Sequence, residues 1–171
     1  MKRTRKTAAA KLTRPKKAGE TTALRLARAA DSRRLLEMMA DFSVGEGIAP
    51  EPRRLRTALS RLLRERDLGR VWLILEDGAE VGYAVLTFGY DLEFMGRDAF
   101  LTELYVKKEL RGHGVGRRAL ALVERQAVRL QARAVHLMVR AENIRAFTLY
   151  ASAGYEAPRR VMLSRIITDR N

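Results

Sequence analysis

Glycines at 112, 114 and 116 mark the seam where one hydrophobic period ends and another begins. Before the seam, Ala99 to Val106 (AFLTELYV) reads as a strand. After it, Gly116, Leu120, Val123, Ala127 and Leu130 recur at spacings of three and four, which puts them on one helical face. Ala134 to Val139 (AVHLMV) is then another strand. Strand, helix and strand in that order imply a right-handed parallel crossover. The chain is therefore expected to be α/β, with a parallel sheet at least across residues 99–139.

The stretch before the seam adds an antiparallel meander. Ala23 to Arg28 (ALRLAR) alternates as a half-buried strand does. Asp31 or Ser32 then caps a helix with Leu35, Leu36, Met38, Met39 and Phe42 on its apolar face. Ser43 to Pro52 (SVGEGIAPEP) holds two glycines and two prolines and reads as a loop. A second helix carries Leu55, Leu59, Leu62 and Leu63 on one side and mostly arginine on the other. Val71 to Leu75 is a buried strand, Asp77-Gly78 a hairpin turn, and Val81 to Tyr90 the returning strand. Gly82 and Gly89 inside it suggest bulges or bends. Asp91 to Asp98 reads as a polar turn. Beyond the crossover, Asn143 to Ala153 is a short helix and Val161 to Ile167 a last strand. The expected fold is a mixed sheet: an N-terminal antiparallel meander joined to a parallel βαβ crossover.

With 171 residues there is room for one domain, expected over residues 20–171. Residues 1–19 carry Lys2, Arg3, Arg5, Lys6, Lys11, Arg14, Lys16 and Lys17 and no acid, and so little apolar bulk that a disordered basic arm is expected. The arm reads as a solvated tail or, more sharply, as an RNA- or membrane-seeking arm, with a weak nucleic-acid contact the expected partner; a transit peptide fits less well, since serine is missing. The whole chain has a formal charge of +14, which favours anionic ligands. There is no cysteine and there are two histidines, so thiolate nucleophiles and thiolate metal sites are excluded and no metal is expected. No apolar run approaches the roughly twenty residues of a spanning helix. With no secretory apolar region behind the charges, the expected location is cytoplasmic.

The glycine turn carries the chemistry. Arg111-Gly112-His113-Gly114-Val115-Gly116-Arg117 lies where a helix starts, so unpaired N–H groups point outward at the positive end of the helix dipole. That is an anion seat, flanked by Lys107, Lys108, Arg111, Arg117 and Arg118, and a diphosphate is its natural occupant. Gly114-Val115-Gly116-Arg117-Arg118-Ala119 also matches the dinucleotide fingerprint. Against that reading, the polar stretch Lys107 to Leu110 separates the turn from its strand. The ribose-binding acid is also misplaced, Glu142 coming late. A P-loop is excluded, since no Gly-Lys-Ser/Thr follows.

Arg111-Gly112-His113-Gly114-Val115-Gly116 resembles the Arg/Gln-x-x-Gly-x-Gly/Ala signature of the GNAT N-acetyltransferase superfamily, with Leu104-Tyr105-Val106 just before it. Asn143-Ile144-Arg145-Ala146-Phe147-Thr148-Leu149-Tyr150 through Gly154-Tyr155 resembles that family's second segment. The likeness covers residues 22–168, loosely closest to small-amine and diamine acetyltransferases over Gly82 to Val106. The resemblance implies acetyl-coenzyme A as co-substrate, its pyrophosphate on the amides around Arg111, Gly112, His113, Gly114, Val115, Gly116 and Arg117. It further implies that the backbone of Leu104, Tyr105 and Val106 pairs with the pantetheine, that the parallel strands splay after Val106, and that Asn143 touches the pantetheine arm. For Asn143 a helix cap is the equal alternative. Tyr150 matches the tyrosine that serves as general acid to the leaving thiolate; ordinary helix-face packing is its alternative. A homodimer is implied as well.

With no cysteine to carry an acetyl group, the amine itself must attack in a ternary complex. An alkyl amine with a pKa of about 10.4 is roughly 99.9% protonated at neutral pH, so its proton needs an acceptor. Glu103, a carboxylate in an apolar strand, is the expected base; a structural ion pair is the alternative. His113 sits in the phosphate turn and His136 in mid-strand, which disfavours both. The expected acceptor is a small-molecule or peptide amine, and Glu46, Asp91, Glu93 and Asp98 in two loops are candidates to attract it; solvated loop charge is the equal alternative. The alternative function, from another class, is a nucleic-acid- or ribosome-associated protein using the basic arm.

Overall fold

The computed structural model describes residues 21–167 apart from positions 50, 158 and 160. The basic arm expected over residues 1–19 lies outside the described residues. The chain runs β1 (Thr22–Leu26), α1 (Ser32–Glu46), α2 (Pro52–Arg64), β2 (Gly69–Glu76), β3 (Ala79–Asp91), β4 (Gly96–Val106), α3 (Val115–Arg129), β5 (Ala134–Leu137) and α4 (Ile144–Ser152). The five strands form one sheet in chain order. The pairs β1–β2, β2–β3 and β3–β4 are antiparallel, and β4–β5 is parallel. This is the mixed α/β sheet the two hydrophobic periods call for.

Each face of the sheet has its own cover. Leu35, Met38 and Met39 of α1 and Leu59 of α2 pack on Val71, Leu73, Tyr83, Val85 and Tyr105. On the opposite face, Leu120, Val123 and Ala127 of α3 pack on Trp72, Ala84, Leu86, Ala99 and Leu101. Of the helical repeat read from the sequence, Leu120, Val123 and Ala127 are buried on α3, Leu130 is partly buried beyond its end, and Gly116 is only half-buried. Asp77 (φ 51°) and Gly78 (φ 82°) form the two-residue hairpin between β2 and β3. No helix among the described residues is long and apolar enough to cross a membrane.

Several boundaries differ from expectation. The loop assigned to 43–52 begins late, because α1 continues to Glu46 and stops only where Gly47 turns left-handed (φ 67°). The polar turn assigned to 91–98 shrinks to residues 92–95, since β3 and β4 pair as far out as Asp91 and Gly96. Asp31 precedes α1 but does not cap it with its side chain. Its carboxylate accepts from the Arg28 amide (2.8 Å) and from Arg25 (3.0 Å) instead. The Arg25 guanidinium accordingly holds Asp31 below the usual carboxylate range. Residues 161–167 form no strand; a strand exists only with a neighbour to bond, and among the described residues no strand pairs with them.

The bulges are not where both glycines suggested. One falls at Val81, next to Gly82, where β2 pairs Ile74 with Gly82 and Leu75 with Glu80. The other is at Thr102 in β4, where Val85 faces Glu103 and Leu86 faces Leu101. Gly89 faces Asp98 in regular register. Gly82 has a different constraint: a Cβ there would lie 2.1 Å from the Tyr105 carbonyl oxygen. Relieving that clash must move the end of β4. Gly82→Ala is expected to lower the thermal midpoint by about 5 °C, checked by calorimetric melting.

Candidate functional site

A cleft opens because β4 and β5 part company. Their pairing runs from Asp98↔Ala134 to Leu101↔Leu137 and ends there. The expected splay after Val106 thus begins after Leu101, at the Thr102 bulge. β4 continues to Val106 with its β5-side edge free of a described strand. The cleft, about 280 Å³, has Leu104, Tyr105 and Val106 along one wall and Asn143, Ala146, Leu149 and Tyr150 along the other. Phe42 and Glu46 of α1 also line it, as do Arg111, Gly112, Gly114, Gly116, Arg117 and Arg145.

The glycine turn bounds the cleft. Gly112 (φ 90°) and Gly114 (φ 81°) both lie in the region that side chains disfavour, and Gly114 is the residue before α3. The first helical hydrogen bond is Arg118 N–H to the Gly114 carbonyl (3.0 Å). Among the described residues, none of the amides from Gly112 through Arg117 has an acceptor. Such a run of donors at a helix start fits a diphosphate.

The flanking cations divide by use. Arg111 donates from Nε to the Val106 carbonyl (2.8 Å) and lies 5.5 Å over the Tyr105 ring. Arg117 reaches Ser152. Two expected neighbours of the seat are committed elsewhere. Arg118 bonds the Thr22 hydroxyl, Glu76 and the His113 carbonyl, and Lys107 the Glu80 carbonyl (3.0 Å). His113 is exposed and does not line the cleft. The Val115 side chain is buried with Ile74, Val81, Val106 and Ala119, leaving only its amide for a ligand. Arg145 was given no role in the sequence reading. A basic residue in the first turn of α4, two places after Asn143, was the available signal.

Asn143 caps α4: its Oδ1 accepts from the Ala146 amide (3.0 Å) while the residue lines the cleft. Tyr150 lies on the same helix, with its ring edge-on to Tyr155 at 5.8 Å. No described group hydrogen-bonds its hydroxyl. Burial, then the nearby Glu46 carboxylate, raises its pKa above that of an ordinary phenol, so it keeps its proton at neutral pH.

Glu103 is held beside the cleft rather than in its lining. The Thr102 bulge decides this. Leu101 is buried on the α3 face, and without the extra residue Glu103 would share that face. Instead the Glu103 carboxylate accepts from the Tyr83 hydroxyl on the α1 side. Burial raises the Glu103 pKa; the Tyr83 hydrogen bond opposes that rise. Tyr83 is 0% exposed, stacked on Tyr105 (5.6 Å) and edge-on to Phe42 (6.5 Å). Both of those rings line the cleft. Tyr83 went unnoticed in the sequence, although a lone hydroxyl in the aliphatic run VGYAVL was a visible irregularity.

The four loop carboxylates do not converge. Glu46 lines the cleft, whereas Asp91 accepts from the Glu93 amide (2.8 Å) at the β3–β4 turn. Asp98 lies 3.7 Å from His136 Nε2, and its Oδ1 is buried without a hydrogen bond. His136 packs against Phe94 (5.1 Å) and Phe100 (6.2 Å).

The chain is similar to known proteins in sequence and in fold. Residues 33–155 match the model of the Acetyltransferase (GNAT) family. Over 74 residues the chain is 35% identical to a Bos taurus thialysine N-epsilon-acetyltransferase; the match spans 43% of this chain and 43% of that relative's length. An integron cassette protein from the mobile metagenome of Cole Harbour Salt Marsh is 31% identical, with a TM-score of 0.76 over 86% of this chain and 91% of that one. An aminoglycoside N-acetyltransferase solved in complex with coenzyme A has the same fold at 17% identity, with a TM-score of 0.72 over 89% of this chain and 99% of that one.

Proposed function

The chain belongs to the GNAT acetyltransferase family, and from that premise we propose that it moves an acetyl group from acetyl-coenzyme A to a primary amine by direct attack in a ternary complex. The observation that carries this reading is the unbroken run of unpaired amides from Gly112 through Arg117 at the edge of the cleft. These donors, with Arg111, Arg117 and Arg145, suit the pyrophosphate. The free edge of Leu104, Tyr105 and Val106 suits the amide-bearing pantetheine arm, which bonds like an added strand. Acetyl-coenzyme A supplies the activated acetyl group. Tyr150 gives a proton to the departing thiolate, and Glu103 takes the ammonium proton, directly or through a water. That deprotonation is worth about 4–5 kcal/mol at neutral pH. The relative named for acetylating thialysine at Nε supports an alkyl amine as acceptor.

Calorimetry with acetyl-coenzyme A at tens of micromolar tests donor binding; no heat of binding ends the proposal. A panel of amines assayed for thiol release then finds the acceptor. Gly114→Ala probes the seat directly. The substitution forces a side chain to φ 81° and places its Cβ 2.9 Å from Arg118 Nη1. A cost of about 1.4 kcal/mol corresponds to a tenfold loss of affinity. Acetyl-coenzyme A is expected to bind about tenfold more weakly, by the same calorimetry.

A further inference from the structure

The sheet face that α3 covers changes character at the end away from the cleft. Arg70, the second residue of β2, lies opposite Leu86 of β3. Phe88 and Tyr90 follow Leu86 at strand alternation, and Arg97, the second residue of β4, lies opposite Tyr90. Aliphatic packing thus gives way to rings and cations on one face. The guanidiniums of Arg97 and Arg70 lie 4.8 Å and 5.6 Å from the centre of the same Phe88 ring. Arg66 stands at the same corner, where the Arg70 guanidinium bonds its carbonyl. Burial, then the charges of Arg66 and Arg97, lowers the Arg70 pKa.

Like charges gathered in this way cost stability, and a shared ring offsets only part of that cost. Arg70 feels the charge of Asp67. Yet among the described residues no carboxylate comes within ion-pair distance of Arg66, Arg70 or Arg97. Asp91 and Asp98 alternate with the rings and cations along β3 and β4, so they take the opposite face. Tyr90 is 75% exposed. Along β4, Arg97 and Val106 are nine residues apart, roughly 30 Å, so this surface is distinct from the cleft.

We propose that this face binds single-stranded RNA, with phosphates on Arg66, Arg70 and Arg97 and a base stacked on Tyr90. A simple anion would use the arginines and leave the exposed ring idle. A duplex hides the faces of its bases, whereas loops and ends of RNA present them unstacked to aromatic rings and guanidiniums. An anionic lipid surface would meet the exposed Leu92 and Met95 of the β3–β4 turn, but Asp91 beside them opposes it. The proposal is independent of the chemistry in the cleft.

Fluorescence anisotropy of a labelled single-stranded uridylate 12-mer with the full chain tests this. Binding in the micromolar range is expected at about 50 mM salt, weakening as salt rises. The two kinds of contact then separate. Arg66→Gln/Arg97→Gln should reduce the slope of log affinity against log salt by about 1.4, since each phosphate contact on a single strand contributes about 0.7. Tyr90→Ala alters an exposed side chain and spares the fold. It should cost about tenfold in affinity and leave the salt slope unchanged, and Tyr90→Phe should bind as wild type does. Arg53→Gln/Arg56→Gln removes two exposed arginines from α2 and is expected to change neither quantity. Saturating coenzyme A is expected not to compete. Four results overturn the proposal. Site variants that bind as wild type does place the RNA on residues 1–19. An equal loss in the α2 variant makes the binding diffuse charge. Competition by coenzyme A places the RNA in the cleft. Loss of binding to phosphatidylglycerol vesicles in the site variants, with RNA binding unmoved, makes the face a lipid surface.

Discussion

Tyr150→Phe is expected to lower kcat by about 100-fold while changing acetyl-coenzyme A affinity less than twofold. The size follows from the usual worth of a positioned proton donor, about 10²–10⁴. The asymmetry follows from geometry. The ring lines the cleft and packs against Tyr155, and phenylalanine keeps both contacts. Only the hydroxyl goes, and no described protein group depends on it. A thiolate leaving group develops charge as the thioester breaks, so a donor there acts mainly on the transition state and hardly on ground-state binding. Burial and Glu46 raise the phenol's pKa, so the proposed donor holds its proton at neutral pH. Steady-state kinetics with the best acceptor, beside calorimetric donor binding, separates the two quantities. Parallel losses in both would reassign Tyr150 to packing.

What the sequence made legible is what lies close along the chain. The amides of Gly112 through Arg117 are consecutive, so spacing alone placed them at a helix start. Asn143 and Tyr150 sit on one short helix, and their separation there is fixed by helical geometry. Contacts that depend on pairing between distant segments were not legible. Thr102 carries no glycine or proline to announce a bulge; its extra place exists only in the register of β4 against β3. Arg118 looks like a phosphate ligand by position, yet Glu76 and Thr22, brought alongside by β1 and β2, recruit it for the fold. Val161 to Ile167 has the composition of a strand, but strand formation is a property of two segments, and composition names only one. The Glu103–Tyr83 pair is of the same kind: its members are 20 residues apart and meet only once β3 and β4 are in register.

That pair makes a second large effect testable, and its pH dependence has a definite sign. In the proposed mechanism Glu103 must be ionised to accept a proton, so activity is expected to rise with pH through its pKa, which burial raises. Glu103→Gln retains a side chain able to accept from Tyr83, so the fold is expected to survive. The kcat/KM should fall about 100-fold, and the acidic limb assigned to this carboxylate should vanish. Tyr83→Phe acts differently. It leaves the carboxylate in place but deletes the hydrogen bond that favours the charged form. The Glu103 pKa then rises further, moving the acidic limb to higher pH, with most of the activity recovered above it. A purely structural ion pair or packing role would scale the whole profile without moving the limb. Profiles of kcat/KM for wild type and both variants decide between these outcomes. If the limb stays put in Tyr83→Phe and persists in Glu103→Gln, the proton leaves the amine by another route and Glu103 is a buried strut beneath Tyr105.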